Sequence, residues 1–407
     1  MPATGSTSKT PKQQRSFATK ERLTEATVQL LGEVGEAGVT HRAVAERGNV
    51  SLASTTYYYD SKDSLLADAS ASLLTNYVDR FHQFAARQLA QVEGRVSLEA
   101  FFARLLRRAT GKDRLLTIAW CEILLACARH PETRALARTW YANLQEIWTE
   151  IFAVLGASTD PLDVQTAIDR TVGLLFIVVP LGLPPEQAEA ALRMGLDPAL
   201  IDSLPPAPPI APATESRKAR ETREQLLDAA KRIMATQGAA AVTGRAVAAE
   251  AGLAAGTPAN YFKPISTLVD AAREELYEAA KARYREGVSQ IDPRPLSFEQ
   301  VVDLSAAVLV REVTQYSGLN IATLSVEVEA ARQPAHRSMV GKWFIDRTRG
   351  WLRLLSHTDV RTQPADALKA CALYNGIAVR LLSTGADSLA ISQVRSEFWL
   401  GLQPHAR

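Results

Sequence analysis

The chain contains an internal repeat that fixes its domain organisation. The dipeptide Val39-Thr40 recurs as Val242-Thr243, 203 positions later in a chain of 407 residues. Other matches at this spacing are Ala43-Val44-Ala45 with Ala246-Val247-Ala248, Tyr58 with Tyr261, Ala128-Arg129-His130-Pro131 with Ala331-Arg332-Gln333-Pro334, Trp140 with Trp343, and Gly173 with Gly376. Scattered coincidences would not keep one register along most of a chain. The sequence therefore predicts two copies of one domain, over residues 16–200 and 216–403.

The composition is that of a soluble globular protein, with 47% hydrophobic and 22% charged residues. The formal net charge is only +2, so any affinity for nucleic acid must come from local basic clusters. The three cysteines lack metal-ligand spacing, which fits a reducing compartment. The N-terminus lacks the apolar core of a signal peptide, and the longest apolar run, at 173–183, is too short for a membrane span. We therefore expect a cytoplasmic protein with no membrane, metal or cofactor partner.

The apolar residues of each copy recur at the spacing of an amphipathic helix. In the first copy Leu23, Ala26, Leu30 and Val34 follow this pattern, and Gly35 is placed to end the helix. Neither copy shows the alternation of half-buried strands. The longer helical segments of the first copy are predicted at 63–88, 97–110, 114–129, 133–155 and 163–180, with equivalents in the second. The predicted fold class is all-α.

Three short helices crowd into the first fifty or so residues of each copy. Thr40 and Thr243 suit the N-cap of the second helix, and Ser51 suits that of the third. A turn of a few residues containing a glycine separates these two helices, which is the layout of a helix-turn-helix. The second helix of that motif enters the major groove of DNA and contacts bases with its N-terminal residues.

The candidate recognition helix of the first copy, Leu52 to Tyr58, is rich in small and hydroxyl residues. Such residues permit close approach to base edges, and the tyrosine hydroxyls can reach phosphate. The predicted DNA contacts of this copy are Arg42, Ser51, Leu52, Ala53, Ser54, Thr56, Tyr57, Tyr58 and Lys62. For Arg42, and for the equivalent Arg245 of the second copy, a surface salt bridge is the alternative to phosphate contact.

The second copy differs at the residues that would contact DNA. Ala254 stands where the first copy has Ser51, so a helix cap worth about 1 kcal/mol is lost. Asn260 stands in the register of Tyr57 and could bind adenine with two hydrogen bonds. The predicted DNA contacts are Arg245, Ala255, Gly256, Thr257, Asn260, Tyr261 and Lys263. The symmetry of an operator mirrors the symmetry of the protein that binds it. Because the two predicted DNA-binding helices differ, we expect an asymmetric operator.

Two stretches resemble a known family. The segment VSLASTTYYYDSKDSLL (50–66) resembles the recognition-helix signature of the TetR family of transcriptional regulators, and ATVQLLGEVGEAGVTHRAVAE (26–46) resembles that family's first two helices. In the second copy the segment LLDAAKRIMATQGAAAVTGRAVAAEAGLAAGTPANYFKPISTLV (226–269) is similar to the same region. The remainder of each copy fits only by size, helicity and position.

The resemblance implies an N-terminal three-helix DNA-binding domain and a C-terminal helical bundle that binds ligand and dimerises through its last two helices. In this chain two such subunits are predicted in tandem, forming an intramolecular pseudo-dimer in which the segments 163–180 and 366–384 pair. The predicted partners are a double-stranded DNA operator and a small-molecule effector. Repression relieved by that effector is the commoner outcome in the family.

The repeat and the resemblance together predict six segments. A proline-rich stretch, PPAPPIAPAT (205–214), favours a semi-rigid extended spacer of roughly 30 Å between the copies. The predicted segments are a disordered basic tail (1–15), a first DNA-binding head (16–66), a first bundle (67–203), a linker (204–215), a second head (216–269) and a second bundle (270–407).

Candidate effector-binding residues are aromatic and polar groups on otherwise apolar helices. They are Trp120, Glu122, Trp140, Tyr141 and Phe176 in the first copy, and Tyr316, Glu327, Trp343, Tyr374 and Asn375 in the second. Core packing is the alternative role for each of them. Glu122 and Glu327 are favoured because a buried carboxylate needs a partner.

Other functional classes find less support. The six histidines show no metal-binding pairing, and neither a phosphate-binding glycine loop nor a nucleophile elbow occurs, so we do not expect an enzyme. A protein that sequesters a ligand and carries degenerate DNA-binding heads is the principal alternative. Association of two whole chains on DNA, with four heads on a longer site, is a further alternative.

Overall fold

The chain folds into helices throughout the residues that the structure describes. The structure is a computed structural model and describes residues 11–90, 96–204, 216–289, 296–358 and 362–403. Within these ranges no strand occurs, and the all-α fold class is confirmed. The α-helices are α1 (Pro11–Val34), α2 (His41–Arg47), α3 (Leu52–Tyr58), α4 (Lys62–Leu89), α5 (Leu98–Thr110), α6 (Arg114–Arg129), α7 (Arg134–Leu155), α8 (Pro161–Leu181), α9 (Pro185–Met194), α10 (Pro198–Asp202), α11 (Arg217–Gln237), α12 (Gly244–Glu250), α13 (Thr257–Tyr261), α14 (Ser266–Ser289), α15 (Phe298–Thr314), α16 (Ser317–Arg332), α17 (Arg337–Ser356), α18 (Pro364–Thr384) and α19 (Ser388–Leu402).

The observed helices agree with the five segments predicted for the first copy to within a few residues. One expectation is wrong: α1 begins at Pro11, so residues 11–15 of the tail predicted to be disordered are helical. Proline is favoured in the first turn of a helix, and the glutamines and arginine that follow it are good helix formers. The rest of the predicted tail, 1–10, and the proline-rich linker lie outside the described residues.

The long apolar helices α8 and α18 pack against each other at the centre of the molecule. At their crossing a Cβ atom added to Gly173 would lie 1.8 Å from the carbonyl oxygen of Ala372. A Cβ added to Gly376 would lie 1.7 Å from the carbonyl oxygen of Asp169. Only glycine lets the two backbones approach this closely. The pairing of the two apolar segments expected from the sequence is therefore present.

Contacts between the two halves occur in reciprocal pairs. Gly173 and Gly376 are 203 residues apart, and so are Asp169 and Ala372, the residues that they face. A second pair lies at the ends of these helices. Arg337 approaches Gly182, and Arg134 approaches Gly385, where the two arginines and the two glycines again differ by 203. Exchange of roles between equivalent residues is the pattern of an isologous interface.

One buried cluster of ion pairs joins the two halves at the centre, and it has no counterpart at the equivalent positions. Arg380 on α18 donates from Nε to Asp169 on α8 at 2.9 Å and from Nη2 to Glu397 on α19 at 2.7 Å. All three residues are buried. At the 203-residue spacing, Asp169 corresponds to Ala372 and Arg380 corresponds to Ile177. The position related to this ion pair by the repeat is therefore apolar. Burial raises the pKa of Glu397 to about 7, against the lowering effect of Arg380.

Helix α8 is long and apolar enough to cross a membrane by length and composition alone. It is instead a core helix, since 83% of its apolar window is buried inside the molecule. The cysteines on the neighbouring helices, Cys121, Cys127 and Cys371, are likewise buried and free.

The close crossing generates a stability prediction. We expect Gly376→Ala to lower the free energy of unfolding by about 3 kcal/mol, because the new methyl group overlaps the backbone of α8. Gly350→Ala on α17 is the matched control, since its added Cβ meets no atom within 4 Å. Removing a glycine from an open helical position should stabilise the protein by about 0.5–1 kcal/mol. Urea unfolding followed by circular dichroism measures both changes, and equal effects of the two variants would contradict the close crossing.

Candidate DNA-binding heads and effector cavity

The first candidate DNA-binding head is a helix-turn-helix made of α2 and α3, packed on α1. The Thr40 hydroxyl accepts a hydrogen bond from the Ala43 backbone N–H at 3.1 Å and caps α2. The Ser51 hydroxyl accepts from the Ser54 N–H at 3.2 Å and caps α3. Both predicted N-caps are therefore present, and α3 spans the residues expected of the recognition helix.

The turn between the two helices depends on one residue with a left-handed backbone. In the first head this residue is Asn49, with φ of 49°, and in the second it is the equivalent Gly252, with φ of 67°. Gly48, the glycine in the turn of the first head, is right-handed, with φ of −76°. Gly48 has a packing role, since a Cβ there would lie 3.3 Å from the Arg22 carbonyl oxygen of α1. Asparagine tolerates the left-handed region, which explains its position in this turn.

Two large side chains on the outer face of α3 are exposed to solvent and do not pack in the core. Tyr57 is 81% exposed and Leu52 is 51% exposed. Ala53 and Thr56 are also exposed, and the Tyr58 hydroxyl lies 2.9 Å from the Ser16 hydroxyl of α1. Arg42, just inside α2, is exposed as well. This face has the small residues and hydroxyl groups suited to close approach to a partner.

The second head has a shorter recognition helix. Helix α13 begins at Thr257, and its N-cap residue, Gly256, makes no side-chain hydrogen bond. Ala255 and Gly256 therefore precede the helix, although the sequence placed them within it. Asn260 is exposed on α13, and Tyr261 is half-buried. Among the predicted cations of this head, Arg245 and Lys263 are exposed.

An arginine from each half reaches the head of the other half. Arg332, at the end of α16, donates to the Leu31 carbonyl of α1 at 3.3 Å, and its Nη2 would lie 2.9 Å from a Cβ on Gly35. The equivalent Arg129, at the end of α6, would lie 3.1 Å from a Cβ on Gly238, the equivalent of Gly35. Both glycines have positive φ. We call this pair of crossed contacts the arginine clasp.

Acidic residues anchor the arginine clasp mainly to the first half. Arg129 donates to Glu36 in the 3₁₀ helix after α1 at 2.6 Å, and Arg332 donates to Glu122 on α6. Arg129 also donates to Ser325, the equivalent of Glu122, at 2.8 Å. The residue equivalent to Glu36 is Ala239, so only the first head contributes a charge to the arginine clasp.

Glu36 is surrounded by cations although it is buried. Burial would raise the pKa of its carboxyl group, but the hydrogen bond from His130 and the charges of Arg129 and Lys62 lower it to about 2. The same hydrogen bond, at 3.0 Å, raises the pKa of His130 against the effect of burial. Lys62 lies 3.2 Å from Glu36. Lys62, predicted from the sequence to contact phosphate, therefore forms an ion pair within the protein in this structure.

A cavity of about 540 Å³ lies inside the helical bundle of the first half. Its wall consists of residues from α4, α5, α6, α7 and α8. The aromatic residues of the wall are Tyr77, Phe81, Phe84, Phe101, Trp120, Trp140 and Trp148. The charged residues are Arg80, Arg87, Arg104, Arg108 and Asp113. The volume is within the usual range for small-molecule sites.

Two of the five effector-binding residues predicted in the first half line this cavity, Trp120 and Trp140. Tyr141 and Phe176 are buried in the core and do not line it. Glu122 does not line it either, because its carboxylate is paired with Arg332 of the other half. The sequence could not distinguish these positions, since all five lie on apolar helices.

The residues predicted in the second half are engaged in packing and ion pairs. Trp343 stacks on Tyr277 with ring centroids 4.8 Å apart. Glu327 is fully buried and lies 2.6 Å from Arg347. The remaining three are Tyr316, against the guanidinium groups of Arg283 and Arg311; Tyr374, against Trp351 and Phe398; and Asn375, buried on α18.

Sequence reasoning missed the arginine clasp and the arginines of the cavity. A signal for the clasp was present, because Arg129 and Arg332 occur in a stretch that repeats at the 203-residue spacing. The cavity arginines give no comparable signal, since arginines on amphipathic helices are usually solvated.

Comparisons with known proteins find similarities to transcriptional regulators. Residues 93–198 match the family described as "Tetracyclin repressor-like, C-terminal domain". The chain is 27% identical over 154 residues to an uncharacterised HTH-type transcriptional regulator in the dhlA 5′ region of Xanthobacter autotrophicus. That match covers 37% of this chain and 74% of the relative. These matches make the chain similar to tetracycline-repressor-like and helix-turn-helix transcriptional regulators.

Solved structures of the multidrug binding protein EbrR are also similar. The complex with ethidium is 26% identical, covers 43% of this chain and 96% of EbrR, and has a TM-score of 0.35. The complex with imidazole is 25% identical, covers 48% of this chain and 98% of EbrR, and has a TM-score of 0.34.

The cluster around Glu36 should make stability depend on pH. The lowered pKa of Glu36 stabilises the fold above pH 4.5, and this contribution is lost as pH falls towards 2. The raised pKa of His130 stabilises the fold below pH 6.5, and this contribution is lost as pH rises through the folded-state pKa. Both contributions are present together between these limits. We expect Glu36→Gln to cost about 3 kcal/mol in that window, because it removes the carboxylate closest to buried Arg129 and leaves the more distant Glu122, at 3.7 Å, as its acidic partner.

Glu33→Gln is the matched control, since Glu33 forms an exposed ion pair with Arg47 in the same head. Loss of such a pair should cost less than about 1 kcal/mol. Unfolding free energies from pH 3 to 8, together with an NMR titration of His130, check the prediction. A His130 pKa that is the same in Glu36→Gln and in the parent protein would contradict it.

Proposed function

We propose that the chain is a transcriptional regulator that binds double-stranded DNA as a single-chain pseudo-dimer. In this proposal residues 16–66 and 216–269 are the DNA-binding heads, and 67–203 and 270–407 are the bundles. The observation that carries the proposal is the reciprocity of contacts between the halves, from the helix crossing to the arginine clasp. A covalent link makes the local concentration of the second head independent of protein dilution. One chain is then sufficient to occupy two half-sites.

The exposed face of α3 supports DNA binding by the first head. Tyr57 and Leu52 are too exposed to contribute to the core, and Ser51 and Thr56 offer hydroxyl groups beside them. Side chains of this kind contact base edges and thymine methyl groups in the major groove. Arg42 is available for phosphate on the adjacent helix.

The second head differs enough to prefer another sequence. Its recognition helix, α13, has five residues against seven in α3, and it presents Asn260 where α3 presents Tyr57. Asparagine can form two hydrogen bonds with adenine, and tyrosine cannot. The operator is therefore asymmetric, with one half-site for each head. The cell compartment is the cytoplasm, where such regulators meet DNA.

A small molecule that enters the cavity of the first half is the proposed effector, and its binding releases the DNA. Helix α4 connects the two sites, because it begins at Lys62 beside Glu36 and contributes Tyr77 and Arg80 to the cavity wall. An effector can regulate DNA binding only if its affinity differs between the bound and free conformations. A displacement of α4 by the ligand would supply that difference.

The shortened α13 favours one second candidate function. A head without a helix cap could have lost DNA binding, which would leave a protein that sequesters the ligand. Electrophoretic mobility shift with the DNA flanking the gene separates the two candidates. A regulator gives a shift that weakens with salt, whereas a sequestering protein gives none.

The operator prediction is tested by selecting binding sites from random DNA. We expect two unlike half-sites, and Asn260→Ala should relax base preference at one position of one half-site only. The affinity for the preferred base should fall by about tenfold to a hundredfold. Arg245→Ala is the matched comparison in the same head. It should weaken binding to all sequences equally and reduce the slope of log affinity against log salt by about one.

Recovery of a perfect inverted repeat would contradict the asymmetric operator. Light scattering of the complex gives the number of chains on one site. One chain per site is expected, and two chains per site would indicate four heads on the DNA.

A further inference from the structure

We propose that the cavity of the first half binds an organic anion with a flat aromatic body, such as an aromatic carboxylate. The assignment of a ligand class rests on the wall of the cavity. Only its regulatory consequence rests on the function proposed above.

The wall supplies surfaces for a flat ring. Phe101 and Trp148 meet edge to face with centroids 5.7 Å apart, and Tyr77 and Trp140 do so at 5.9 Å. Trp120 extends this group, with its ring centroid 5.8 Å from that of Trp140. Rigid aromatic side chains bind planar apolar ligands by offset stacking and edge contacts. The apolar part of the ligand is therefore aromatic.

The charges of the wall select an anion. Among the described residues, four arginines and one carboxylate, that of Asp113, line the cavity. Asp113 accepts from Arg80 at 2.5 Å and also from Arg108, so it is already shared between two cations. Within the described residues neither Arg87 nor Arg104 has an ion-pair partner. A cationic ligand would find no unpaired carboxylate among the described residues of the wall, whereas a carboxylate ligand would pair with a planar guanidinium group.

A buried hydrogen-bond donor indicates an acceptor on the ligand. The indole N–H of Trp140 donates to Ser70 and that of Trp148 donates to Tyr77, each at 2.9 Å. The indole N–H of Trp120 is buried and has no hydrogen-bond partner among the described residues. Buried polar groups are nearly always paired, so a ligand acceptor is expected beside Trp120.

The equivalent interior of the second half is built differently. Leu144, which lines the cavity, corresponds to Arg347, and Leu124 corresponds to Glu327. These two charged residues form an ion pair in the second half, where the first half has two leucines. The same ligand would therefore bind once per chain.

Three probes with the same ring system test the ligand class on the full-length chain. They are 2-naphthoate, the neutral methyl ester of 2-naphthoic acid, and 2-naphthylmethylammonium. Binding is followed by tryptophan quenching and by calorimetry. We expect one site per chain and an affinity for naphthoate at least about tenfold above that for the ammonium compound.

Arg104→Gln should weaken naphthoate binding by about tenfold and leave binding of the neutral ester unchanged. Arg104→Lys should recover part of the loss, because it restores the charge. Arg349→Gln is the matched control, since Arg349 is exposed on α17 and does not line the cavity. Retained binding of the ester shows that the variant protein is folded.

The outcomes distinguish this inference from the proposed function. Tighter binding of the ammonium compound, or equal affinity for all three probes, would overturn the ligand class. DNA binding is measured separately by fluorescence anisotropy. Naphthoate binding at one arginine-dependent site that leaves DNA affinity unchanged would support the ligand class and refute the effector role. Absence of DNA binding in every condition would refute the regulator and leave the probe result intact.

Discussion

The backbone contact between α8 and α18 is the constraint on which the rest of the molecule depends. Gly173 and Gly376 allow two long apolar helices to cross without side chains between them. Once the crossing is fixed, the ends of α6 and α16 lie beside the opposite heads, and Arg129 and Arg332 can form the arginine clasp. The Asp169–Arg380–Glu397 cluster crosses the same centre, where a desolvated ion pair tolerates little displacement.

The two halves share a backbone plan but use it differently. The first half has a charged residue at the arginine clasp, Glu36, and leucine in the cavity wall, Leu144. The second half has Ala239 and Arg347 at these positions. The first half therefore combines a charged anchor for its head with a cavity in its bundle, and the second has a buried ion pair, Glu327–Arg347, at the positions of Leu124 and Leu144. The two subunits of a homodimer cannot differ in this way, because both have the same sequence.

The sequence predicted what local patterns determine. Helical periodicity gave the helices of the first copy to within a few residues, and hydroxyl residues such as Ser51 marked the caps, because both depend on neighbours in the chain. The cavity was predicted poorly because it depends on contacts over long distances. Glu122 and Trp120 are two residues apart on α6, yet one faces Arg332 and the other lines the cavity. Nothing in the sequence of α6 separates these two roles.

This placement on α6 connects the cavity to both heads. Trp120 contributes to the cavity wall, Glu122 binds the arginine that reaches the first head, and Arg129 at the end of the helix reaches the second. A helix moves largely as a rigid unit, so a ligand that shifts α6 displaces the two arms of the arginine clasp together. Because the contacts are reciprocal, movement of α6 reaches both heads, although the cavity lies in the first half. Under the proposed function, one ligand per chain is therefore enough to change the relation between two unlike heads.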